Sequence, residues 1–170
     1  FCGSGFKRKG LAHAIEAMAL LPREIPAKLF VVGSGNPAPY RRQARSMRLG
    51  ERIFFLGERD NVEEFYGAAD VLIHPTLYDP FPNVCLEAMA CGLPVITTKV
   101  TGVAEIIEHG VDSFVVGHAS DVKQISEHAR ELADPAIRSR MGAAATAKAR
   151  LQSLSRMIDA NLTLYEELAA

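Results

Sequence analysis

The sequence predicts an α/β domain, a Rossmann-like, doubly wound parallel sheet with helices on both faces. Three observations carry this. Short apolar runs of strand length alternate with longer stretches whose apolar residues recur at helical spacing, the pattern of repeated βαβ units. Most of the strand-like runs stop at Gly, His-Pro or Thr clusters, where a chain leaves a sheet. The 170 residues suffice for one domain with a sizeable core.

In chain order, Phe1 to Gly3 reads as the end of a strand. From Lys9 to Leu21 the spacing of Leu11, Ile15, Met18 and Leu21 predicts a helix. Leu29 to Val32 is a buried type of strand stopped by Gly33-Ser34-Gly35. A polar helix is expected from about Pro39 to Leu49. Ile53 to Leu56 reads as a strand closed by Gly57, and Asn61 can cap a short helix carrying Val62, Phe65 and Ala69. Val71 to Ile73 reads as a strand ended by His74-Pro75. Asn83 to Ala90 is expected to be a helix ended by Gly92. Val95 to Thr97 and Phe114 to Val116 read as strands, with a short helix over Val103 to Glu108 between them. Two helices are expected to close the chain, near Val122 to Ala133 and from about Ile137 onward.

Composition narrows the function. The hydrophobic fraction is 48%, the charged fraction 23% and the net charge −1, so no global basic character points to nucleic acid. Arg41, Arg42, Arg45 and Arg48 crowd one side of the predicted polar helix; they form either a solvated face or a basic surface for peripheral contact with anionic lipid. Cys2, Cys85 and Cys91 lack metal-ligand spacing. Cys85 and Cys91, six apart on one helix, fall on different faces, which fits reduced thiols of a cytoplasmic protein. No apolar run reaches membrane-spanning length. The five histidines show no metal-ligand spacing, and His74 at a strand end is expected to be packed or hydrogen-bonded. The chain opens with Phe1, which suggests part of a longer protein.

Ligands of open parallel sheets bind beyond the carboxyl ends of the strands, and two segments at such ends carry chemistry. The first is Gly3-Ser4-Gly5-Phe6-Lys7-Arg8-Lys9-Gly10, where glycines allow close backbone approach, a helix N-terminus follows, and three cations cluster. It suits a phosphate; alternatively it is an ordinary solvated helix start. It is not a Walker loop, because the Gly-Lys-Ser/Thr ending is absent. The second runs from Tyr78 to Val95. Glu87 lies about one turn inside an otherwise apolar helix, so it is expected to face a cleft, where a carboxylate can accept two hydrogen bonds from a vicinal diol such as ribose. Asp79 lies eight residues earlier, and the backbone N–H groups of Asn83 and Val84 at the helix start can hold a phosphate between the two acids.

These residues resemble the C-terminal domain of retaining GT-B glycosyltransferases. That family has two acids separated by seven residues, the second within Leu-Glu-Ala-Met-Ala-x-Gly-x-Pro-Val; here these are Asp79 and Glu87, within Leu86 to Val95. Gly102-Val103-Ala104-Glu105-Ile106-Ile107, Ala68-Ala69-Asp70-Val71 and His74-Pro75 also match, and the resemblance covers nearly the whole chain. Within the family, Ser4 directly after Gly3 and the pair Arg8-Lys9 resemble the lipopolysaccharide core glucosyltransferases.

The resemblance implies roles. Arg8 and Lys9 would neutralise a diphosphate, with Ser4 and Gly5 in the same loop. Glu87 would bind ribose, and Asp79 would bind hydroxyls of the transferred sugar, near Phe81, Asn83 and Val84. The loop Glu58 to Asn61, with Arg59, would border the base. The donor would be a UDP-sugar, with no metal or other cofactor, since the chain has no Asp-x-Asp motif. All 170 residues would form one donor-binding domain, with the glycolipid acceptor held by an N-terminal domain outside it. Two departures bear on the donor sugar: Asp79 stands where Glu is usual, and Phe81-Pro82 replaces Phe-Gly, removing a backbone donor. The main rival is a dinucleotide-binding domain, because Gly33-x-Gly35-x-x-Ala38 follows a strand and Glu58 ends the next; Pro37 and Pro39, which lack N–H donors, argue against it. A non-catalytic interaction module and a sugar epimerase of related fold are two further rivals.

Overall fold

A computed structural model describes residues 1–152 and 154–169. The elements run in the order α1 (Leu11–Leu20), β1 (Leu29–Val32), α2 (Ala38–Ser46), β2 (Ile53–Gly57), α3 (Val62–Ala68), β3 (Leu72–His74), α4 (Asn83–Ala90), β4 (Val95–Thr98), a single 3-10 turn (Gly102–Glu105), β5 (Phe114–Val116), α5 (Val122–Glu131), α6 (Pro135–Arg150) and α7 (Leu154–Ala169). All strand pairings are parallel: β1 with β2, β3 with β4, and β4 with β5. Phe1 to Gly3 runs along β1 as a single bridge, Cys2 to Val32, rather than as a full strand. Its Phe1 ring stacks on His74 of β3.

The pairings form a two-stranded sheet, β1-β2, and a three-stranded one, β3-β4-β5, and strand alternation divides the interior into two cores, one on each face of the strands. Ile73 and Ile96 face a cluster with Leu11, Ile15 and Met18 of α1 and Ile125 of α5. Their neighbours Leu72 and Val95 face a second cluster with Tyr66 of α3, Cys85 and Met89 of α4, and Ala145 of α6. The helical spacing of α1 is thereby explained, since Leu11 and Ile15 are wholly buried. Gly142 lets α6 lie against the end of α4: a Cβ there would come within 2.2 Å of the Gly92 carbonyl oxygen.

Several sequence expectations are corrected. The C-terminal run is two helices, because the Leu151 and Gln152 N–H groups turn back onto the Lys148 and Ala149 carbonyls and close α6. Arg48 does not extend the basic helix face; α2 ends at Ser46, and Arg48 adopts a left-handed φ of 59°. Arg41 lies over the Phe55 ring at 4.7 Å, and Arg41, Arg42 and Arg45 are all exposed on that helix. Asn61 does not cap α3 by accepting a hydrogen bond. Its side-chain nitrogen donates to Glu64 at 2.7 Å. The segment expected as a helix over Val103 to Glu108 is the one 3-10 turn.

Candidate active site

The loops after the strands meet at one end of the sheet because glycine permits it. Gly10 has φ 75°, and a Cβ there would lie 1.8 Å from the Pro75 carbonyl oxygen. No other residue allows the Ser4–Lys9 loop to sit so close to the exit of β3. The contact is then pinned by hydrogen bonds. The Thr76 hydroxyl and the Leu77 N–H both donate to the Arg8 carbonyl at 2.8 Å. Beneath them the Thr98 hydroxyl donates to the Thr76 carbonyl at 2.8 Å, and that of Thr101 to the Thr98 carbonyl at 3.0 Å. Arg8 is thus anchored through its backbone, with its side chain half exposed.

A charge cluster forms on this frame. The Asp79 carboxylate accepts a hydrogen bond from the Lys9 ammonium and lies 3.3 Å from Arg8 Nη1. Lys9 and Asp79 are 8% and 6% exposed, so the pair is buried, and breaking it by removing one partner is costly. Burial alone pushes the Asp79 carboxyl up; the Lys9 hydrogen bond and the charges of Lys9 and Arg8 outweigh it and hold Asp79 below the usual carboxylate range. Arg8 Nη1 also donates to the Tyr78 carbonyl at 3.1 Å. His74 lies below, wholly buried, with Nε2 3.9 Å from Asp79 Oδ2. It is packed but not hydrogen-bonded, since neither ring nitrogen has a partner.

Glu87 sits on the exposed face of α4 and accepts a hydrogen bond from the Tyr66 hydroxyl at 3.0 Å. Tyr66 is buried on α3, and its phenol is pushed up by burial first and by its neighbours Cys2 and Glu87 second, so it stays a donor. At the start of α4 the Cys85 N–H already bonds the Pro82 carbonyl at 2.9 Å, which leaves Asn83 and Val84 as the first-turn donors. At the start of α1 the Lys9, Gly10 and Leu11 N–H groups bond the Gly5, Lys7 and Phe6 carbonyls, which leaves Ala12 and His13 as the first-turn donors. Phe81 is exposed beside α4, and Arg59 is exposed in the loop between β2 and α3.

Gly5 borders a cleft of about 640 Å³ whose walls include Phe6, Arg8, Gly35, Tyr40 and Leu77, and Ser4, next to Gly5, does not line it. The Ser4 and Ser34 hydroxyls are 2.8 Å apart. In the Gly33 loop, Gly33 N–H bonds the Gly57 carbonyl, Ser34 N–H bonds Ser4 Oγ, and Ala38 N–H bonds Asn36 Oδ1. Pro37 and Pro39 contribute no N–H to this turn, which disfavours a pyrophosphate in the dinucleotide manner. Among the described residues no group of three or more His, Cys, Asp or Glu could hold a metal ion. The site thus offers two cations at one acid and a buried-phenol-oriented carboxylate on the helix that follows. Tyr66 and His74 are not singled out for it by the sequence, since an aromatic at helical spacing and a lone histidine are ordinary core residues.

The chain is similar to known proteins in sequence and in fold. Residues 1–148 match the family described as Glycosyl transferases group 1. The chain is 36% identical over 131 residues to the lipopolysaccharide glucosyltransferase WaaG of Escherichia coli K12, covering 76% of this chain and 35% of that protein. It is 33% identical to the N-acetyl-alpha-D-glucosaminyl L-malate synthase of Bacillus anthracis, covering 76% of this chain and 34% of that protein. The crystal structure of WaaG superposes with a TM-score of 0.83 at 32% identity, over 90% of this chain and 43% of that one. Anabaena HepE in complex with UDP-glucose superposes with a TM-score of 0.72 at 26% identity, over 95% of this chain and 48% of that one. The chain therefore spans about a third of the length of these curated relatives and under half of these solved chains. By its sequence and its α/β fold, the chain belongs to the Glycosyl transferases group 1 family.

Proposed function

We propose that this chain is the donor-binding domain of a retaining, metal-independent hexosyltransferase that takes a UDP-sugar, UDP-glucose in the first instance, for transfer to a cell-envelope glycolipid such as a lipopolysaccharide core. The observation that carries the reading is the pairing of Arg8 and Lys9 at Asp79 with Glu87 on the following helix, all at the carboxyl ends of parallel strands. The names of two relatives support it, one a lipopolysaccharide glucosyltransferase and one solved with UDP-glucose.

Sugar transfer from a nucleoside diphosphate leaves charge on the departing diphosphate, and preorganised cations and N–H groups stabilise that charge. Arg8 and Lys9 supply the cations, and the Asn83 and Val84 N–H groups supply dipoles. Glu87, oriented by Tyr66, accepts the ribose hydroxyls. Asp79 orients hydroxyls of the transferred sugar. Arg59 borders the base, and Ser4, Gly5 and Phe81 lie near the donor. The acceptor and any further catalytic group belong to an N-terminal domain outside these residues, so this chain alone transfers no sugar. The protein works in the cytoplasm, with Arg42 and Arg45 available for peripheral contact with the inner face of the membrane; among the described residues no helix is long and apolar enough to cross one.

Thermal denaturation with UDP and with NAD tests the reading. UDP should raise the melting temperature and NAD should not. A rise with NAD alone would favour the dinucleotide reading.

A further inference from the structure

His74 is an unusual residue to bury. Its side chain is wholly inaccessible, both ring nitrogens lack a hydrogen-bond partner, and a buried polar group in that state costs stability. An apolar residue of similar size would fill the space beside Phe1 at no such cost. The charged groups around the imidazole are the Lys9 and Arg8 cations and the Asp79 carboxylate. Burial, and then the Lys9 charge, push its pKa down to about 3, so the ring is neutral at pH 7 and carries one N–H. Nε2 points toward Asp79 Oδ2 from 3.9 Å, just beyond hydrogen-bond reach.

That same Asp79 oxygen is held by Lys9 and faces Arg8. On the proposed function, these are the two cations that a diphosphate must recruit. A diphosphate that draws them away leaves a buried carboxylate without a partner, and the nearest remaining donor is His74. We propose that His74 is a positioning residue, a standby donor whose Nε2–H takes hold of the Asp79 carboxylate when a nucleoside diphosphate recruits Lys9 and Arg8. The hydrogen bond missing in the free protein is made in the bound one, which offsets part of the cost of releasing Lys9. The inference rests on the donor-binding reading of the cleft.

The test is calorimetry of UDP and uridine binding to the chain carrying His74→Phe or His74→Gln, each also in an Asp79→Asn background, together with ¹⁵N NMR of the His74 ring. His74→Phe should fold at least as stably as the wild type yet bind UDP about tenfold more weakly, a change of about 1.4 kcal/mol. Its uridine affinity should be unchanged. His74→Gln, which keeps a donor, should recover most of the UDP affinity. With Asp79→Asn the His74 substitutions should have no further effect. In the wild type, UDP but not uridine should shift the Nε2–H resonance downfield. An unchanged UDP affinity in His74→Phe, an equal loss in the Asp79→Asn background, or an Nε2–H resonance indifferent to UDP would each overturn the proposal. Should His74→Phe fail to fold, His74→Gln and the resonance decide. Wild-type chain that is folded but binds neither ligand would overturn the donor reading itself, an outcome distinct from failure of His74 alone.

Discussion

Lys9→Ala separates the structural role of the buried charge cluster from its ligand-binding role. Lys9 and Asp79 are nearly inaccessible, and breaking a buried pair from one side costs about 3–5 kcal/mol. Arg8 remains 3.3 Å from the stranded carboxylate and its guanidinium reaches solvent, so the cost should fall to about 2–3 kcal/mol. For a chain of this size that is a fall of about 4–12 °C in melting temperature. A second substitution, Asp79→Asn, removes the stranded charge and should restore most of the loss. Binding reports the other role. Loss of a charge-assisted contact weakens UDP by about ten- to a hundredfold and should leave uridine, which has no phosphate, much less affected. Differential scanning calorimetry and titration calorimetry measure both. An unchanged melting temperature would refute the buried pair, and equal loss for UDP and uridine would refute the phosphate role.

Other substitutions test the rest of the site. Glu87→Gln should weaken uridine and UDP by the same factor, about tenfold, because its partner is the ribose, and Tyr66→Phe should do so to a smaller extent; titration calorimetry with the two ligands checks this. Stability should fall as pH drops below about 6.5, because His74 is neutral in the fold, with a pKa of about 3, and becomes protonated when unfolded. At pH 5 that linkage amounts to about 2 kcal/mol, which His74→Phe should remove, as melting curves at pH 7 and pH 5 will show. Asp79 adds nothing in that window: its folded pKa is lowered, so its contribution persists above the unfolded carboxylate value and is lost only as pH falls through the folded one. Gly10→Ala should destabilise by more than the ~1–2 kcal/mol cost of a left-handed residue, because its Cβ meets the Pro75 carbonyl, and UDP affinity should fall with it as the Arg8–Lys9 loop is displaced; melting and titration together check this.

Much of the fold is legible in the sequence because its signals are local. Leu29–Val32 and Phe114–Val116 are apolar runs of strand length, and the structure gives the same limits. Asn83–Ala90 is a helix start after Pro82 followed by a stop at Gly92, again with the limits read from sequence. What is not legible depends on contacts between distant residues. That Lys9 pairs with a carboxylate 70 positions away, that Tyr66 orients Glu87, and that His74 has no partner follow from how loops meet across the sheet. The break after Arg150 falls in a stretch where no Gly or Pro marks the end, and the left-handed Arg48 stands two residues before the glycine, Gly50, that does mark one. At the start of α1, the sequence shows a helix N-terminus but not the tight turn that ties the Lys9, Gly10 and Leu11 N–H groups to the Gly5, Lys7 and Phe6 carbonyls.

The measurement that tests the donor-binding claim most directly is titration calorimetry of the wild-type chain with UDP in the presence of EDTA, alongside a circular dichroism spectrum. Weak, saturable binding is expected, tighter for UDP than for uridine and undiminished by the chelator. A folded chain that evolves no heat with UDP at concentrations on the order of millimolar, where an interaction of about −4 kcal/mol would be visible, would contradict it.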